Sequence, residues 1–184
     1  MNGTADKCRS SGFTMTELII VMSLVAILVA IAAPSFKYVT TSNRITTELN
    51  GFLGDLQYAR SEAVKQGLPV TVCSSTDGAT CNGGAVWQSG WILFLDSNSN
   101  QTVDAGETVL RVQNAFSSAD TFLPDNGAFS AITFNREGYA STNAAVIVTL
   151  LLHDSTNAAQ WTRCLAISPV GMLTTQRAAV GNCI

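Results

Sequence analysis

Charge is scarce in this chain. Only 12% of its residues are Asp, Glu, Lys or Arg, about half the share of an average soluble domain. The charges present lean acidic, with ten Lys and Arg against thirteen Asp and Glu. Generic nucleic-acid affinity comes from clustered cations, so this balance speaks against a general nucleic-acid binder. Histidine occurs once, at His153, and there is no GxSxG, P-loop, HExxH or CxxC. Hydrolase, nucleotide-cleaving and metalloprotease chemistry therefore finds no motif to stand on, and the chain reads as a non-enzyme. What fills the space left by charge is apolar: 47% of residues are hydrophobic. Disordered chains are apolar-poor, so disorder is excluded as well. A length of 184 residues fits one domain, alone or with an appendage.

The apolar excess is concentrated in one run, Leu18 to Ala33, in which only Ser23 is polar. A membrane span needs about 20 apolar residues, with a range of about 17–25. The run reaches that length once Phe13-Thr14-Met15-Thr16 before it and Pro34-Ser35-Phe36 after it are counted. A buried helix of a soluble domain would rarely be apolar on every side. A secretory signal peptide would use Lys7 and Arg9 as its basic region and Ala30-Ile31-Ala32 as its cleavage site. Against that, Glu17 sits at the edge of the apolar run, and Pro34 stands just past the small residues, where it would hinder a peptidase.

Gly12-Phe13-Thr14-Met15-Thr16-Glu17, followed at once by the apolar run, resembles a type IV prepilin signal. The resemblance implies a cytoplasmic leader, residues 1–12, removed by a prepilin peptidase between Gly12 and Phe13. It also implies N-methylation of Phe13. Glu17 would pair with the N-terminal amine of a neighbouring subunit during assembly, and Pro34 would kink the helix. Met15 stands where the family usually has Leu. An intramembrane carboxylate costs about 2.5–3.5 kcal/mol at a helix centre, so one in such a run is a functional candidate by default. Lys7 and Arg9 before the span place the leader inside and the rest in the periplasm, on a single-pass inner-membrane anchor.

Loss of the leader removes Cys8 and leaves Cys73, Cys81, Cys164 and Cys183. An even number in an oxidising compartment implies two disulfides. Of three possible pairings, Cys73–Cys81 and Cys164–Cys183 close the local loops. Zinc would need CxxC spacing or His partners, and has neither.

Residues 13–36 form the membrane half of the expected helix and 37–66 an amphipathic half. In the latter Ile45, Leu49, Phe52, Leu53, Leu56, Ala59 and Ala63 recur at three- and four-residue steps. Arg44, Glu48, Asp55, Arg60, Glu62 and Lys65 fall between them, on the polar side. Gly67-Leu68-Pro69 is a stop signal. Residues 67–184 read as a β-rich head. Candidate strands are 69–74, 85–96, 107–113, 131–135, 145–152 and 162–168, separated by turn residues and mainly antiparallel. The class is α+β: a long helix packed on an antiparallel head.

The head carries Gly90-Trp91-Ile92-Leu93-Phe94-Leu95-Asp96 and Phe134-Asn135-Arg136-Glu137-Gly138. With the N-terminal signal, these resemble the GspH/FimT family of minor pilins and pseudopilins. The resemblance implies a structural subunit that assembles with other pilins or pseudopilins through its helix. Paired cysteines look more like the pilus branch than the type II secretion pseudopilin. A DNA-uptake pilin is the other implied role, but the Gly-Arg-x-Arg motif of such pilins reads Gly171-Met172-Leu173-Thr174 here. Arg163 and Arg177 are the remaining DNA candidates, so nucleic acid is not expected as a partner.

Asp96, Asn98, Asn100, Asp104 and Glu107 have the ligand spacing of an EF-hand calcium loop. Gln101 replaces the turn glycine and the flanks read as strands, so a structural hairpin is the first reading and calcium the second. No other cofactor is implied. His153 reads as a structural strand-end residue, and Trp87, Trp91 and Trp161 as packing residues.

Overall fold

The computed structural model describes residues 12–125, 129–142 and 147–178. It contains α1 (Met15–Gln66), then nine strands. These are β1 (Val70–Ser74), β2 (Gly90–Leu95), β3 (Val109–Asn114), β4 (Thr121–Pro124), β5 (Ala131–Phe134), β6 (Ala140–Thr142), β7 (Val148–His153), β8 (Arg163–Ile167) and β9 (Leu173–Arg177). The chain divides into two compact units, Met1–Thr40 and Thr41–Ile184, and α1 contributes to both.

Both ends of α1 follow from local chemistry. Thr14 caps it by accepting a hydrogen bond from the Glu17 backbone N–H at 3.3 Å, the Thr-x-x-Glu pattern of a capping box. At the other end Gly67 takes φ +68° and donates to Ala63 O at 3.0 Å, with Pro69 beyond. Between them the helix runs on through Pro34. Pro34 has no N–H to offer the carbonyl one turn back, which weakens the helix there.

In the second unit, α1 packs against two antiparallel sheets, ordered β3-β2-β1-β5-β6 and β4-β7-β8-β9. The helix supplies Ile45, Leu49, Phe52, Leu56, Ala59 and Ala63 to the core, all at most 4% exposed. β1 and β2 are buried along almost their whole length, which shows that the first sheet is covered on both faces. Val72, Trp91, Leu93 and Ile132 join the helix-side core. Their neighbours Cys73, Ile92, Phe94 and Ala131 form a second cluster under Cys81, Val103 and Val109.

The structure corrects three expectations. Residues 85–89 are not strand: Trp87–Ser89 form a one-turn 3-10 helix, and β2 begins at Gly90. Gly90 takes φ +111°, and a Cβ there would sit 2.6 Å from the Gln113 carbonyl, so only glycine fits this approach. Asp55 and Glu62 are buried rather than solvated. Asp55 is satisfied by Trp91 Nε1 at 2.9 Å and by Arg111 at 2.7 Å, and Glu62 by Gln66 and Lys65. Finally, β4, β6 and β9 add to the strands expected from sequence, and the strands form two sheets.

Candidate functional site

Among the described residues, the first unit presents an exposed apolar surface. Residues 12–40 are exposed, including twelve large apolar side chains from Leu18 to Phe36. Burying a side chain of this kind is worth about 1.5–3 kcal/mol, so on the order of 20–30 kcal/mol waits on a lipid or protein environment. Polar groups inside the stretch are tied down locally: Ser23 Oγ donates to Ile20 O at 2.7 Å. Gly12 and Phe13 immediately precede the cap, and Phe13 is 75% exposed. Glu17 lies in the first turn, where the helix dipole favours a negative charge. Thr14, the capping residue, went unmarked in the sequence reading, although Thr-x-x-Glu was there to find it.

Cys73 and Cys81 form a disulfide with Cα atoms 5.6 Å apart, as the local-loop pairing requires. Asp77 organises the loop between them. Hydrogen bonds from the hydroxyl and backbone of Thr80 hold its carboxyl well below the usual carboxylate range. Cys164 is also disulfide-bonded; the expected partner Cys183 lies outside the described residues.

The Asp96–Glu107 loop is closed by its own polar groups. Asp96 is fully buried and accepts from Thr71 Oγ1 at 2.6 Å and from the backbone of Asn100 and Gln101. The amides of Asn98 and Asn100 both donate to Asp104, and Glu107 accepts from the backbone of Ser97 and Asp104. Gln101 takes φ +61° where the motif wants glycine. Its side chain reaches Thr133 Oγ1 at 3.3 Å, so the loop folds over the outer face of the first sheet. Among the described residues no group of three or more His, Cys, Asp or Glu is placed to hold a metal ion.

Arg163 and Arg177 stand opposite each other across β8 and β9 and line a groove of about 290 Å³ with Thr46 and Asn50. Arg163 is 7% exposed and donates to the carbonyls of Gln160 and Thr162. This geometry spends the guanidinium on the protein's own backbone. His153 ends β7 and bonds to Thr121 Oγ1 on β4 at 2.8 Å. Trp87, Trp91 and Trp161 are buried. Arg60 also went unmarked as a junction residue. It bonds to Gly171 O at 2.9 Å and packs beside Gly138, so one helix residue ties together turns from both sheets.

Two family models match the chain. One, described as Type II transport protein GspH, covers residues 48–171; the other, the prokaryotic N-terminal methylation motif, covers residues 7–33. No curated protein matches significantly. Among solved structures, the type IV minor pilin FimU of Pseudomonas aeruginosa is 22% identical with a TM-score of 0.56. That match covers 78% of this chain and 93% of the other. The minor pseudopilin EpsH of the Vibrio cholerae type 2 secretion system is 10% identical with a TM-score of 0.50, covering 73% and 97%. Both likenesses are of fold. A methylation-motif helix, a head matched over most of its length and the same α+β architecture converge: the chain belongs to the GspH family, whose pilin and pseudopilin members are structural filament subunits and not enzymes.

Proposed function

We propose that this chain is a minor pilin of a type IV pilus. The observation that carries the reading is the uncovered apolar helix, Leu18–Phe36, with one carboxylate at its start. Lipid covers that surface before assembly and neighbouring subunits cover it afterwards. A prepilin peptidase removes residues 1–12 by cutting between Gly12 and Phe13, and the new amine of Phe13 is methylated. The inner membrane then holds the helix and the head lies in the periplasm. Glu17 pairs with the amine of a neighbouring subunit, an interaction worth several kcal/mol at short range once water is excluded. Pro34 supplies a weak point at which the helix bends. The preference for a pilus over a type II secretion pseudopilus rests on the paired cysteines, Cys73–Cys81 and the disulfide-bonded Cys164. Nucleic acid is not part of the proposal: removal of the leader leaves eight basic against twelve acidic residues.

Deletion of the gene in its native host separates the two machines. Surface filaments, counted by electron microscopy, should be lost or strongly reduced while secretion of extracellular enzymes continues. Normal filaments with blocked secretion would assign the chain to the pseudopilus instead.

A further inference from the structure

The first connection between the two sheets, residues 115–120, is fastened to α1 by a cluster of charged and polar side chains. Asp120 is 3% exposed and is held by Arg44 through two hydrogen bonds, at 2.6 and 2.7 Å. One turn along the helix, Glu48 Oε1 accepts from Ser118 Oγ at 2.9 Å. Glu48 Oε2 is buried, and among the described residues no donor reaches it. An orphan buried carboxylate oxygen is costly, and costlier beside a second carboxylate. A proton on Glu48 lowers the cost, because the neutral carboxyl donates toward the Asp120 carboxylate and the second negative charge disappears.

We propose that Glu48 is a proton-operated latch: protonated, it holds the 115–120 connection against α1; ionised, it sets two carboxylates against each other and loosens that connection. The charged surroundings are few. Arg44 on α1 is committed to Asp120, and Asp154 at the end of β7 adds negative charge toward Arg44. His153, bonded to Thr121 next to Asp120, is the remaining titratable neighbour. On the other side of Glu48, β2 and β3 present Trp91 and Gln113, which carry no charge, and Arg111 is taken up by Asp55. Burial, chiefly, and the Asp120 charge push the Glu48 carboxyl up to about 7. The latch releases in the range where the medium crosses neutrality, and it reverses the usual carboxylate behaviour. A carboxyl whose pKa is raised in the latched state binds its proton more tightly there than when released, so the latch weakens as pH rises from about 4.5 to about 7.

The connection is positioned to transmit the change. The Phe116 backbone donates to Gln88 O and the Phe122 backbone to Gln88 Oε1. Phe116 packs edge-on against Trp91 and stacks with Phe122. Loosening residues 115–120 therefore acts on the aromatic seam between the sheets. This inference stands apart from the choice between pilus and pseudopilus.

The test is made on the full chain in detergent micelles, by hydrogen exchange corrected for intrinsic rates and by carbon-13 titration of glutamate carboxyls. Protection of the Phe116, Asp120 and Phe122 amides should fall about tenfold between pH 6 and 8.5. It should be independent of pH in Glu48→Gln, and β8 amides should be unaffected in both proteins. The Glu48 carboxyl should titrate near neutrality. A Glu48 midpoint below 5, or an equal pH dependence in Glu48→Gln, overturns the proposal.

Discussion

Glu17→Ala should leave membrane insertion intact and reduce recovery of the protein in sheared filaments at least tenfold. Insertion depends on the apolar run, which the substitution lengthens. Assembly is different, because an ion pair sheltered from water is worth several kcal/mol and each 1.4 kcal/mol is a factor of ten in an equilibrium. The structure adds a competing local role, since Glu17 is the third residue of the turn capped by Thr14. Loss of a capping interaction costs about 0.5–2 kcal/mol and acts on the helix end alone. Glu17→Gln separates the two roles. Glutamine serves in a capping box as glutamate does, but it cannot neutralise an amine. The charge reading expects Gln to fail as Ala does. Incorporation of Glu17→Gln at the wild-type level would reduce Glu17 to a helix-capping residue.

Phe52→Ala should be the most damaging single truncation in the head. Phe52 is fully buried on α1, and its ring meets Trp87, Trp91 and Phe122 edge-on, with centroids 5.1, 4.9 and 5.0 Å away. It is the point where helix, first sheet and second sheet come together. A buried Phe→Ala change costs about 3–5 kcal/mol, a large part of the roughly 5–15 kcal/mol that holds a domain together. For a head of this size the melting midpoint should fall by roughly 10–15 °C, read from the near-ultraviolet signal of the two tryptophans. Val64→Ala is the control. Val64 lies on the same helix but is 54% exposed, and its loss should stay within about 0.5 kcal/mol. Equal effects from the two changes would mean that this aromatic junction does not organise the core.

What could be read from sequence follows the strength of each local signal. α1 was legible because its apolar positions keep a helical period and Gly67 and Pro69 end it. The Cys73–Cys81 bridge was legible because a short loop brings its ends together cheaply. β6 and β9 were not, since Ala140–Thr142 has no branched aliphatic residue and Leu173–Arg177 is almost wholly exposed. β4 contains a proline and one buried side chain, so its place beside β7 comes from tertiary pairing. Asp55 and Glu48 looked like solvent-facing charges because spacing alone does not reveal distant partners. The groups that satisfy Asp55 are 36 and 56 residues away, and the serine that meets Glu48 is 70 away. The assembly helix was the most legible part of the candidate site, because both its motif and its apolar surface are contiguous in the chain.

The central claim is that this chain is processed at Gly12-Phe13 and enters a filament through the helix that follows. Intact mass spectrometry of the protein extracted from membranes of its native host tests it most directly. The account predicts a chain beginning at Phe13, with one methyl group on its amine and two fewer hydrogens for each disulfide. A chain beginning at Pro34, or one that keeps residues 1–12, would contradict it.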